Sequence, residues 1–254
     1  MEGFEPPLFY TGLVAQLYAP LRSEVPDPEP YARFIEASGE PALELGCGTG
    51  DPLLELRGRG LDVEGLDSSA DMLDRCRNEA ANRRIDVMLH HQAMESMDLE
   101  RRYRSIFLAG PTFNLLADDD TARGALDRIR VHLYPQGSAL IPLFLPVATP
   151  PEYLNRAREH TTPDGTLMRV TPVAEQRNEL HRIQTTILRY ELVIAGNVIV
   201  DERPWMLHWH TQDGFRQLAA EAGLAVRAVR TPDATPATPN DQSFVFVLTR
   251  PAMT

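Results

Sequence analysis

Several features are scarce or missing in this 254-residue sequence, and each absence closes off a class of function. Cysteine occurs twice, at Cys47 and Cys76, too few for a zinc site or a disulfide framework. A reducing, cytoplasmic compartment is therefore expected. Lysine does not occur: all 25 basic residues are arginine, and 36 acidic residues bring the formal net charge to −11. No basic run is present to track a phosphate backbone or an anionic lipid surface, so neither nucleic acid nor membrane is expected as a partner. The most apolar stretch, 139–148, is interrupted by Pro142 and Pro146. It falls well short of the ~20 residues that a membrane span needs. Residues 1–7 have neither the basic nor the apolar region of a secretory leader. Repeats are absent, and the only biased tract is a Thr/Pro loop at 231–239.

What is present is an ordinary globular composition, 43% apolar and 24% charged. Helical patterns over 8–22 and up to Ser38 precede a change of rhythm at Pro41. From there short apolar strands (42–45, 62–66, 85–89, 105–109, 138–145) alternate with helical segments (69–83, 119–133). Repeated β-α-β units predict a mostly parallel sheet with helices on both faces, an α/β Rossmann-like fold. After Pro146 the rhythm breaks into long strands at 166–173, 180–194 and 198–203, the last two joined by the turn Ala195-Gly196-Asn197. That predicts an antiparallel sheet inserted after the fifth strand. A helix over 211–222, ended by Gly223, leads to two closing strands (225–230, 243–250) that form an antiparallel edge pair. The expected organisation is an N-terminal helical lid (1–40), a Rossmann-like body (41–146 and 204–254) and the inserted sheet (147–203). The insert would serve the substrate pocket or a homo-oligomer contact.

The sharpest chemical signal is Glu44-Leu45-Gly46-Cys47-Gly48-Thr49-Gly50. Glycines at alternate positions after a strand let the backbone approach a ligand closely and turn tightly into a helix. A carboxylate, Asp67, ends the second strand 23 residues after Glu44, where it can accept both hydroxyls of a ribose.

With the run Val63-Glu64-Gly65-Leu66-Asp67-Ser68-Ser69-Ala70-Asp71-Met72-Leu73, this segment resembles class I S-adenosylmethionine (SAM)-dependent methyltransferases. The resemblance extends over most of the chain and implies SAM as cofactor, with S-adenosylhomocysteine (SAH) as its product. It would place Glu44 and the loop residues Gly46, Cys47, Gly48 and Gly50 against the methionine part of SAM. Asp67 and Ser68 would take the ribose, and Met72 the adenine ring. Ala93 and Met94 follow the third strand and Ala109 the fourth, where further cofactor contacts fall. One departure stands out. Small-molecule members often carry Gly-Asp-Met after the third strand, and here Gln92-Ala93-Met94 lacks the carboxylate, leaving Gln92 or Glu95 to compensate.

The stretch 9–18 is similar to the tyrosine-bearing lid helix of glycine and sugar-amine N-methyltransferases, with Tyr18 matching the tyrosine and Ala19 replacing its usual Asp partner. Tyr10 and Tyr18 are eight positions apart and share a helical face. Phe113 and Asn114 follow the fourth strand, at the end of an open sheet where ligands bind. Residues 109–113 lack the Asn/Asp-Pro-Pro-aromatic run of nucleic-acid amino-methylases. In Trp205-Met206-Leu207-His208-Trp209-His210, alternation puts His208 and His210 on one face and Trp209 on the other. The histidines are candidate bases beside Tyr18, and Trp209 with Tyr10, Phe113 and Asn114 is a candidate substrate wall. No third ligand stands at a recognisable spacing from the histidines, so no metal is expected.

Methyl transfer to a small molecule, at an amine or an indole-like nitrogen or carbon, is the function these features imply. O-methylation of a sugar or carboxylic acid and a non-catalytic SAM-binding scaffold are the alternatives. A nicotinamide oxidoreductase shares the glycine loop but needs Gly-x-Gly-x-x-Gly, against Gly46-x-Gly48-x-Gly50 here. Arginine without lysine, with abundant Ala and Pro, suggests a GC-rich bacterial source, where such enzymes often serve secondary metabolism.

Overall fold

The computed structural model describes residues 9–23 and 25–251. The expected helix start at Leu8, the first residues of the lid and the leader reading fall outside them.

Two sheets organise the chain. The larger has seven strands in the order β10-β11-β5-β4-β1-β2-β3. These are β1 (Ala42–Leu45), β2 (Val63–Asp67), β3 (Leu89–His91), β4 (Tyr103–Phe107), β5 (Leu133–Phe144), β10 (Ala225–Arg230) and β11 (Ser243–Thr249). The pairs β1–β2, β1–β4, β2–β3 and β4–β5 are parallel, whereas β11 runs antiparallel to both β5 and β10. Strand β1 is buried along its whole length because helices cover both faces. Leu43 and Leu45 face one apolar cluster with α5 (Asp119–His132) and α6 (Gln212–Glu221). Ala42 faces the other, with α2 (Glu29–Ser38), α3 (Leu53–Gly58) and α4 (Ala70–Arg83). Each of three helices starts on a side-chain cap: Ser69 Oγ accepts from Met72 N, Asp118 Oδ1 from Thr121 N, and Thr211 Oγ1 from Gly214 N.

The second sheet is antiparallel, in the order β6-β7-β8-β9: β6 (Arg158–Thr161), β7 (Leu167–Asn178), β8 (Ile183–Ile194) and β9 (Asn197–His208). Its β8–β9 hairpin turns at Ala195 and Gly196, both at positive φ, the geometry a two-residue turn needs to match strand twist. Helix α1 (Gly12–Leu21) lies on this sheet, burying Val14, Leu17 and Leu21 with Phe9 against Val170, Tyr190 and Leu192.

Several boundaries differ from the sequence pattern for identifiable reasons. Strand β3 begins at Leu89, not Ile85, because α4 ends on Arg84 in the left-handed conformation and the chain must turn before it can pair. Strand β5 begins at Leu133, running through the Pro135-Gln136-Gly137 segment expected as a turn. Strand β8 begins only at Ile183, after a turn with Arg182 at positive φ, and β9 reaches His208. The short strand β6 has no counterpart in the sequence pattern.

Candidate active site

The C-terminal ends of β1, β2 and β4 converge on one edge of the large sheet, where open α/β sheets bind ligands. After β1 the backbone reverses through Gly46, Gly48 and Gly50, all at positive φ. A Cβ on Gly46 would come within 2.7 Å of Thr112 Cγ2, and one on Gly50 within 2.8 Å of both Cys76 Sγ and Leu54 Cγ. Gly46 and Gly50 are thus both required by packing, while a Cβ on Gly48 would meet only Met72 Cε, at 3.4 Å. Asp67, at the end of β2, ties this loop down: its Oδ2 accepts from Gly48 N and its Oδ1 from Ser69 N, both at 2.8 Å. Burial raises its carboxyl pKa above the usual value in spite of these bonds.

Gly46, Gly48, Asp67 and Thr112 line a cavity of about 360 Å³, together with Ser68, Met72, Ala93, Met94, Glu95, Thr121 and the two lid tyrosines. Gln92 does not reach it, because its side chain is held by the backbone of Asp98 on both the N and the O sides. Glu95 does line it, so of the two groups suggested to replace the missing carboxylate only Glu95 is in position. Cys47 and Gly50 lie buried behind the loop. Glu44 is fully buried and neither carboxylate oxygen has a hydrogen-bond partner among the described residues. Burial first, and then the neighbouring Asp51 and Asp67, push its pKa well above the usual carboxylate range.

A second cavity, about 890 Å³, opens between the glycine loop's edge of the large sheet and the concave face of the small one. The two cavities share Tyr10, Tyr18, Thr112 and Leu115. The tyrosine rings meet edge to face, with centroids 5.7 Å apart, at this junction. Tyr18 lies in α1, while Tyr10 reaches the same place from the turn before it, where its carbonyl accepts from Ser69 Oγ at 2.5 Å. Burial raises both phenol pKa values, so both rings stay protonated at neutral pH. Ala109 lies on the wall of the second cavity, along with Trp205, Leu207 and Tyr190. Arg22, Arg156 and Arg158 also line it, and among the described residues no carboxylate or histidine does.

Residues 42–137 match a family model described as a methyltransferase domain. The protein is a SAM-dependent methyltransferase. It is 27% identical over 229 residues to dTDP-3-amino-3,6-dideoxy-alpha-D-glucopyranose N,N-dimethyltransferase of Streptomyces fradiae, covering 85% of this chain and 86% of the relative. Among solved structures, the methyltransferase CcbJ of Streptomyces caelestis superposes with a TM-score of 0.75 at 22% identity, covering 94% of this chain and 96% of CcbJ. SAM-bound CalS10, an amino pentose methyltransferase of calicheamicin biosynthesis from Micromonospora echinaspora, gives 0.67 at 21% identity, covering 95% and 98%. The nicotinamide alternative is set aside by the family match.

Five of the expected acceptor-side residues of the methyltransferase lie elsewhere. His208 and His210 are buried beneath the 3-10 turn Thr112–Leu115 and line neither cavity. The strand parity explains His208: odd residues Trp205 and Leu207 of β9 face the cavity and even ones face away. Beyond His208 the strand ends, so Trp209 leaves that face and is buried with Arg177 stacked 4.2 Å from its ring centre. Phe113 is a core residue packed on Phe215. Asn114 is fully buried and ties the two sheets together. Its Nδ2 donates to Phe144 O (3.0 Å) and His208 O (3.1 Å), and its Oδ1 accepts from Phe144 N (3.2 Å).

The histidines have a companion that sequence spacing did not reveal. Asp119 Oδ1, from the first turn of α5, lies 3.6 Å from both His208 Nε2 and His210 Nδ1. These three side chains bring possible ligand atoms within 4.8 Å of one another. Asp119 thus stands where a third ligand could, although the Arg182 guanidinium already bonds to it and sits 3.4 Å from His208 Nε2. Burial lowers both imidazole pKa values, that of His210 to about 3.

Proposed function

We propose that the enzyme methylates an amine nitrogen on a sugar or a sugar-bearing natural product. The observation that carries this reading is the acceptor cavity's wall, which among the described residues has three arginines and no carboxylate or histidine. A hydroxyl or an indole carbon needs a base to become nucleophilic, whereas a neutral amine does not. Nearby guanidinium charge also disfavours the ammonium form and so helps keep the amine neutral. The S. fradiae relative and CalS10 are named for amino-sugar substrates, which supports the same class.

The first cavity's residues fit SAM. Gly48 leaves room that a Cβ would narrow, Asp67 offers acceptors for ribose hydroxyls, and the Glu44 carboxylate, buried at the end of β1 behind the cavity lining and unpartnered among the described residues, suits an ammonium group. Met72, Ala93, Met94 and Glu95 are assigned to the adenine end, with Glu95 taking the role of the missing carboxylate. Bound SAM supplies a methyl group activated by its sulfonium. Tyr10 and Tyr18, rigid and protonated at the junction, orient the amine towards it and exclude water. His208 and His210 have no place in the transfer step.

The test is a pH profile of kcat/KM on an aminodeoxy sugar and on the same sugar with a hydroxyl in place of the amine, followed by mass spectrometry. Activity should rise with the acceptor amine's own ionisation and then level off, with no separate basic limb from the enzyme. Comparable methylation of the hydroxyl analogue would sink the amine reading in favour of O-methylation.

A further inference from the structure

The far wall of the acceptor cavity carries a polar cluster that methyl transfer alone does not need. Gln184, Thr186, Leu188 and Tyr190 alternate along β8 and all line the cavity. The first two are polar yet only 5% exposed. Behind them Glu175, on β7, gathers four hydrogen bonds: from Thr149 N (2.8 Å), Thr149 Oγ1 (2.5 Å), Gln184 Nε2 (3.1 Å) and Thr186 Oγ1 (3.2 Å).

The direction of these bonds determines what the wall can bind. An ionised carboxylate only accepts, so the protons of both threonine hydroxyls are committed to Glu175. The threonine oxygens are left as acceptors, on two residues that line the cavity with Gln184. Gln184 Oε1 is taken by Arg177 at 2.9 Å, and one proton of its amide nitrogen goes to Glu175, which leaves a single N–H to donate. Two acceptors beside one donor match groups that both donate and accept, which ring hydroxyls do.

We propose that Thr149, Gln184 and Thr186, oriented by Glu175, read the hydroxyl groups of a polyhydroxylated ring that carries the acceptor amine. The inference rests on the amine reading above for the reacting atom, but the hydroxyl site itself stands on separate residues. Glu175 is a positioning residue here, holding the hydroxyls in their acceptor orientation. An aliphatic or aromatic amine without hydroxyls leaves these buried acceptors unpaired, and a site of this kind discriminates strongly against such a molecule.

The experiment uses the full chain saturated with SAH and three probes: methyl glucoside (hydroxyls only), cyclohexylamine (amine only) and a methyl aminodeoxyglucoside (both). Calorimetry should show the two glucosides binding the wild type. Thr186→Val and Glu175→Gln should each weaken both by roughly tenfold, with Thr186→Ser restoring the affinity. Unchanged SAH affinity certifies that a variant is folded, and if Thr186→Val fails that control Glu175→Gln carries the test. In turnover assays with SAM, the variants should lose activity on the aminodeoxyglucoside while any activity on cyclohexylamine stays unchanged. Equal losses on both amines would overturn the proposal, because the substitutions would then be acting on cavity shape. So would failure of methyl glucoside to bind the wild type. Glucoside binding that depends on Thr186, without methylation of either amine, would instead uphold the hydroxyl site and overturn the amine reading.

Discussion

The two cavities of this methyltransferase are built in opposite ways. The cofactor side has its motif in one stretch of chain, Gly46 to Met72, where Gly48, Asp67, Ser69 and Met72 are linked by hydrogen bonds of 2.8 to 3.2 Å. The acceptor side has no such stretch. It draws on α1, the turn after β4, the end of β5 and all four strands of the second sheet, brought together only by the fold. A local arrangement of this kind leaves a readable motif, whereas a non-local one depends on register and on where each strand ends. The two sides meet at Tyr10, Tyr18, Thr112 and Leu115, so they can be perturbed separately and the contrast tested.

The largest separable effect should come from Asp67→Ala. It removes the proposed ribose acceptor and also frees Gly48 N and Ser69 N, which the carboxylate now holds. Loss of charge-assisted bonds on this scale corresponds to about 3 kcal/mol, or roughly 100-fold in SAM affinity by calorimetry. A change of less than about threefold would show that Asp67 organises the loop without meeting the cofactor. Binding of methyl glucoside should be far less affected, because that site stands on other strands.

Asn114→Ala should instead strike the junction of the two sheets. Three hydrogen bonds from one buried amide link Phe144 of β5 to His208 of β9, and truncation leaves those backbone groups buried and unpaired. A destabilisation of about 3 kcal/mol is expected in denaturant unfolding. Normal stability with a selective fall in kcat/KM would return Asn114 to the substrate wall.

This division also explains what was legible in the sequence. The glycine loop and Asp67 could be read because β1 and β2 are parallel neighbours and the chemistry lies at their ends. The mixed large sheet and the inserted antiparallel one followed from hydrophobic rhythm and turn residues. The histidines misled because alternation gives two faces without saying which is inward. On β9 the inward face is that of Trp205 and Leu207. Asp119 could not be linked to His208 and His210 from spacing, because it comes from the first turn of α5. The Glu175 cluster was equally hidden, since its donors come from the loop after β5 and from β8.

A smaller effect should separate stability from catalysis. The pKa of His210 in the folded state, about 3, lies below the unfolded value of about 6.5, so the unfolded chain binds the extra proton. The neutral imidazole's contribution is complete above about pH 6.5 and is lost as pH falls towards 3, at no more than ~1.4 kcal/mol per pH unit. Replacing His210 with Gln should flatten that acid slope of unfolding free energy while leaving the pH profile of kcat/KM in place. A shifted kinetic profile would restore the imidazole to the reaction.

The smallest effect is also the most specific to the cofactor side. The Glu44 carboxyl is buried without a hydrogen-bond partner among the described residues, and its pKa is pushed upward first by burial and then by Asp51 and Asp67, which favours its protonated form in the free enzyme. A bound ammonium group would reverse that preference by supplying both a charge and donors. SAM binding should then release a fraction of a proton, with the sign fixed by the raised pKa: release is expected at pH values where free Glu44 is still protonated, and it fades above that range. Calorimetric titration in Tris and in phosphate, which differ in ionisation heat, would expose it as a buffer-dependent enthalpy. Glu44→Gln should abolish the difference and weaken SAM by only a few fold, about 1 kcal/mol, because a neutral amide still accepts a hydrogen bond. Proton release that persists in the variant would assign the titrating group elsewhere, with Asp67, also raised by burial, the next to test.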